Sequence, residues 1–165
     1  MSLRRVVTHS EIDRSPALAV ESIDDDCLAL ARDLLDTMYA SPGCVGLAAP
    51  QIGVPLRAFS VNVTGHKKTQ ICHGEMVLFN PKVLSGSDPV MAREGCMSVP
   101  ELTGDVVRFE NLSIVGIGLK GEEVVLETNA FEARALQHEI DHLDGLLFLD
   151  RLAGPGALHA RKVYK

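Results

Sequence analysis

Residues 131–145 read FEARALQHEIDHLDG, and how this stretch folds decides the rest of the chain. Asn129 and Glu132 form a capping-box pattern ahead of it and Gly145 supplies a stop, so the spacing predicts a helix. On that helix Phe131, Ala135, His138 and His142 share one face, the two histidines one turn apart. Leu136, Ile140 and Leu143 make a second apolar face, so the helix is predicted to be buried. Two imidazoles in such a place need partners. They are either hydrogen-bonded core histidines or, as the HExxH spacing favours, two ligands of one metal ion with Glu139 beside them.

The third ligand follows by elimination. The HExxHxxGxxH pattern of some metalloproteases asks for a histidine six residues after His142; Gly145 fits it, but Phe148 stands at the ligand position. No glutamate follows Glu139, the last acidic residue is Asp150, and His159 lies in the terminal stretch. The donor is therefore sought upstream among Cys27, Cys44, Cys72 and Cys96. Cys27 falls in a predicted helix and Cys72 in a polar loop, whereas Cys96 sits in REGCMSVP, with a glycine before it and Pro100 after it. A Cys96, His138, His142 set leaves a fourth position open for water, as catalytic sites do.

Around this site the chain reads as one α+β domain over residues 1–165, mostly antiparallel strands packed around the HExxH helix. An N-terminal helix is predicted in ESIDDDCLALARDLLDTMYASPG, with acidic residues at its start and Leu28, Ala31, Leu35 and Met38 at helical spacing. LRAFSVNV, MVLFNP, DVVRFE, LSIVGIGL and EEVVLET read as short strands. TGHKKTQICHGE reads as a polar loop in which His66 and His73 are exposed rather than liganding. Gly154-Pro155-Gly156 suggests a loose tail over about 154–165.

Composition excludes several classes. A net charge of −6 leaves no basic surface excess for nucleic acid. No run approaches the ~18 apolar residues of a membrane span. The four cysteines form no CxxC pair, and the N-terminus turns polar too early for a secretory signal, so free thiols and a cytoplasmic location are expected. With aromatics at 4% and no Trp, the core must rest on aliphatic residues.

Three stretches together resemble the peptide deformylases: GLAAPQIG at 46–53, EGCMS at 94–98 and QHEIDH at 137–142, in that family's order. The resemblance implies Cys96, His138 and His142 as metal ligands and Glu139 as general acid/base. It implies the Gln51 side-chain amide and the Met97 backbone N–H as oxyanion donors, with Gly46 lining the substrate groove. It implies one divalent ion, Fe2+ in the cell, with Zn2+, Ni2+ or Co2+ as substitutes. The expected partners are N-formylmethionyl peptides or nascent chains, with transient association with the ribosome. Helix geometry adds Phe131 and Ala135, and with them Val45, as a wall for the methionine side chain; plain core packing is the alternative for each.

Some positions depart from the family pattern. Cys44 stands where the first motif usually has glycine, and Met97 where the second has leucine. These departures keep other readings open: weak activity or another formamide substrate, or a binding module whose metal shell Cys44 or another residue closes. A metalloprotease of internal bonds is disfavoured by Phe148.

Overall fold

A computed structural model of the chain describes residues 3–161. It is an antiparallel sheet with two helices. The strands are β1 (Gly46–Ala48), β2 (Ala58–Val61), β3 (Met76–Cys96), β4 (Val99–Ile117), β5 (Glu123–Asn129) and β6 (Leu158–Ala160), ordered β1-β2-β3-β4-β5 with β6 on β4. The helices are α1 (Asp25–Ala40) and α2 (Ala130–Leu143).

Helix α1 starts where expected because the Asp24 carboxylate accepts from the Cys27 N–H at 2.9 Å, while Asp25 and Asp26 complement the helix dipole. Its buried stripe is Cys27, Leu30, Ala31, Leu34 and Met38. Leu28 and Leu35, expected on that stripe, are only half-buried, because Leu30 and Leu34 take the deep positions against Leu47, Ala58, Val77 and Phe79. Helix α2 contributes Ala133, Ala135, Leu136, Ile140 and Leu143 to a second cluster with Phe59, Val61, Leu78, Leu112 and Ile114.

The capping box expected at the start of α2 does not form. Asn129 makes no cap bond, and Glu132 turns instead to the Thr128 hydroxyl and to His73. At the other end the chain passes through Gly145 at φ +80°, where a Cβ would stand 2.0 Å from the Arg14 carbonyl oxygen. That close approach draws residues 14–17 along the helix end, where the Ala17 N–H donates to the Leu143 carbonyl.

Strands β3 and β4 form a ribbon joined by the two-residue turn Met97-Ser98, with Cys96 opposite Val99. DVVRFE and LSIVGIGL, expected as separate strands, are both parts of β4. Gly86, Ser87 and Pro89, which lie between the expected strands, pair within β3 with Leu112, Asn111 and Phe109. Of the expected loose tail, residues 158–160 pair with Leu102–Gly104, and residues 162–165 lie outside the described residues.

Candidate metal centre

The ribbon turn and helix α2 bring three donor atoms together. One ligand atom each from Cys96, His138 and His142 lies within 4.8 Å of the others. His142 Nε2 is 3.1 Å from His138 Nε2 and 3.3 Å from Cys96 Sγ. The Nδ1 of His138 is 2.9 Å from Glu94 Oε1; it donates its N–H there, so Nε2 presents its lone pair to the cluster. Two imidazole nitrogens and a sulfur facing one another in a buried place suit a tetrahedral divalent ion with an open position.

Electrostatics agree with that reading. Burial opposes charge on His138, but Cys96 and Glu94 outweigh it and raise its pKa well above the ordinary value. Burial, with His138 next, drives His142 well below its ordinary value. These surroundings favour a proton on His138, which a metal ion bound there would displace.

Glu139 is buried beside the donors, and its Oε1 has no hydrogen-bond partner. Burial pushes its pKa up to about 7, with Glu94 and Asp141 adding to the effect and His138 and Arg108 opposing it. A carboxyl poised near neutral pH can both take and return a proton. Gly46 makes room for it: a Cβ at that position would stand 2.6 Å from Glu139 Oε2.

Gln51 is fixed by its own turn. Following β1, residues 49–52 form a 3-10 helix in which Gln51 Oε1 accepts from the Ala48 N–H at 2.9 Å. The amide NH2 therefore points the other way, 3.1 Å from Ser98 Oγ and 3.4 Å from Cys96 Sγ. Met97 occupies the turn directly after Cys96, so its backbone N–H lies in the same segment as the sulfur.

Val45, Phe131 and Ala135 pack into one cluster: Ala135 is buried, and Val45 and Phe131 are half-buried. Cys44 Sγ donates to the Gly46 carbonyl at 3.2 Å and is not among the converging donors. Burial pushes its thiol up to about 12, with Glu139 and Cys96 adding. Phe148 is buried against Cys96, Val99 and Val106 as a core residue, and His159 is bonded to Asp105 at 2.9 Å. Neither loop histidine is among the converging donors: His73 is exposed, though bonded to Glu132, and only His66 departs from expectation, half-buried on Phe131.

Four residues around the donors escaped the sequence reading. Glu94 holds His138 and is itself held by Arg108 through Nε at 2.9 Å and Nη2 at 2.7 Å. Arg108 also donates to Asp141 at 2.9 Å. Burial alone would raise Glu94, but His138 and Arg108 outweigh it and keep its carboxyl well below the usual range. Ser98, fully buried, accepts from Gln51. Glu94 and Ser98 lay inside the EGCMS stretch that drew attention to Cys96, and Asp141 inside QHEIDH; Arg108 alone carried no local signal.

An open three-donor group beside a buried carboxyl is the arrangement of a mononuclear metallohydrolase. The chain belongs to the polypeptide deformylase family, whose model matches residues 4–157. The peptide deformylase of Endomicrobium trichonymphae is 45% identical over 139 residues, 84% of this chain and 79% of that protein. The crystal structure of the Thermotoga maritima peptide deformylase superposes with a TM-score of 0.83 at 31% identity, covering 92% of this chain and 99% of that one. The Ehrlichia chaffeensis enzyme in complex with actinonin gives 0.85 at 34% identity, covering 93% and 90%.

Proposed function

We propose that this chain is a metal-dependent hydrolase that removes the formyl group from the N-terminal methionine of newly made peptides and releases formate. The convergence of Cys96, His138 and His142 beside the buried Glu139 carries this reading. In it residues 1–165 make one catalytic domain whose strands pack around α2, consistent with the family match over 4–157.

Cys96, His138 and His142 hold the ion, which when bound lends the Lewis acidity that lets a water react near neutral pH. Fe2+ is our assignment for the cell, with Zn2+, Ni2+ and Co2+ as substitutes; one thiolate and two imidazoles accept all four. Glu139 takes a proton from the attacking water as its oxygen adds to the formyl carbon. The Gln51 amide and the Met97 N–H donate to the oxyanion that develops. Donors of this kind are worth about 3 kcal/mol each when aimed at the developing charge. Protonated Glu139 then gives its proton to the leaving amine as the C–N bond breaks. The products are formate and a peptide with a free amino terminus.

Val45, Gly46, Phe131 and Ala135 form the substrate wall in this reading. The place of action is the cytoplasm, on nascent chains and with transient ribosome contact. No helix among the described residues is long and apolar enough to cross a membrane.

The deciding experiment is formate release from a formyl-methionyl tripeptide, with protein prepared without oxygen and loaded with iron, nickel, cobalt or zinc in parallel. Release by the wild type and none by Glu139→Gln is the expected result. A folded, metal-loaded wild type that releases no formate overturns the proposal.

A further inference from the structure

The connection between β2 and β3, residues 62–75, is laid against the first turn of α2 by two histidines. His73 reaches the fully buried Glu132 twice, donating from Nδ1 at 2.5 Å and from its backbone N–H at 2.8 Å. His66 stacks flat on Phe131, with ring centroids 3.8 Å apart and planes 6° from parallel. The root of the same connection is tied to the residue just before β1, where the Asn62 N–H donates to the Val45 carbonyl at 2.9 Å. The loop thus runs from Val45 to Phe131, two of the side chains assigned above to the substrate wall.

The His66 ring is held in one orientation by the backbone beside it. Its Nδ1 accepts from the Lys68 N–H at 3.2 Å, which leaves the ring proton on Nε2. Burial, with Lys68 and Lys67 adding, holds its pKa below the ordinary histidine value. A neutral ring lying flat on a phenyl face is an apolar surface that adds to the phenyl rather than a charge that draws water to it.

We infer that His66 is a specificity-determining residue: stacked on Phe131, it fixes the outer wall of the cleft that receives the side chain next to the formyl group. The inference rests on the deformylase reading. Without His66, Phe131 keeps only its contacts to the core and is free to tilt. A phenyl ring held between the core and the His66 ring is a fixed apolar surface that suits an unbranched, polarizable thioether and serves a methyl group poorly. A wall free to move loses that preference.

The test compares wild type, His66→Ala and His66→Phe on formyl-Met and formyl-Ala tripeptides, with bound metal measured in each preparation. His66→Ala is expected to raise KM for the formyl-Met peptide about tenfold, with kcat and metal content held, and to shrink the Met-over-Ala preference by a similar factor. His66→Phe, which preserves the stack, is expected to retain the preference. An unmoved Met-over-Ala ratio in His66→Ala, or a His66→Phe protein that behaves like the alanine variant, overturns the inference while formate release by the wild type leaves the deformylase reading intact. A metal-loaded wild type that releases no formate overturns both.

Discussion

Gly46 and Glu139 share a volume that only one side chain can fill: a Cβ on Gly46 would stand 2.6 Å from Glu139 Oε2 and 3.0 Å from its Cδ. The glycine on β1 is thereby tied to the carboxyl on α2 by sterics alone. Gly46→Ala must push the carboxyl aside. We expect kcat to fall by about a hundredfold, the scale for a displacement of this size at a reacting group. Metal content should stay at the wild-type level, because the three atoms nearest the added methyl all belong to Glu139. Steady-state kinetics together with metal analysis check this, and unchanged kcat would refute it.

Glu139→Gln should separate stability from activity. In the metal-free chain burial raises the Glu139 pKa to about 7, well above the unfolded glutamate value of about 4.3. The folded state therefore binds the proton more tightly, and stability falls as pH rises between those two values. Above pH 7 the full cost of the buried charge is present. The glutamine variant is expected to be inactive yet to melt higher than wild type at pH 8, with a smaller gain at pH 5. Paired melting curves of the metal-free proteins at the two pH values check the sign.

Arg108 holds two buried carboxylates, Glu94 and Asp141, with a side chain that is itself only 3% exposed. Arg108→Met leaves both without this partner and should cost about 3 kcal/mol in urea unfolding at pH 7. Because Glu94 orients His138, metal affinity should also fall by about 10- to 100-fold. The sign with pH follows from the lowered Glu94 pKa: its contribution is complete above the ordinary value of about 4 and is lost as pH falls through the folded one. The penalty of the variant should shrink on acidification. Equal metal affinities in the two proteins would refute the positioning role.

Much of this arrangement was legible from short stretches of sequence. His138 and His142 announce themselves through helical spacing, and Cys96 through elimination, because each needs only local context. Arg108 was not legible. It is one residue of a β-rich run, and it reaches Glu94 only because the long β3–β4 ribbon sets one strand against the other, with Val90 opposite Arg108. The ribbon itself was hidden because Gly86, Asp88 and Pro89 carry turn chemistry; Asp88 keeps a left-handed backbone, at φ 59°, while Gly86 and Pro89 pair with Leu112 and Phe109. The capping box failed for a related reason. His73, 59 residues before Glu132, donates to that buried carboxylate from both its ring and its backbone, contacts no local pattern announces.

The cysteines give a prediction that needs no substrate. Among the described residues all four are free; Cys72 is exposed, and Cys27 and Cys96 are buried. With its pKa pushed up to about 12, Cys44 is almost wholly protonated at pH 8, about one thiolate in ten thousand. Iodoacetamide at that pH should label Cys72 first and leave Cys44 unmodified, as peptide mapping by mass spectrometry would read. Cys44→Ser should leave formate release within about twofold, since a substitution outside the reacting groups changes little.

The two-residue turn that carries Cys96 and the helix that carries His142 lie 46 residues apart in the chain. An ion held by both would stitch the two segments together in the folded chain alone, because the unfolded chain has no preformed site for it. At free metal about a thousandfold above the dissociation constant, that preference is worth about 4 kcal/mol. That is a large share of the 5–15 kcal/mol that typically holds a domain together. Metal supply would then govern how long each molecule survives as well as how fast it turns over.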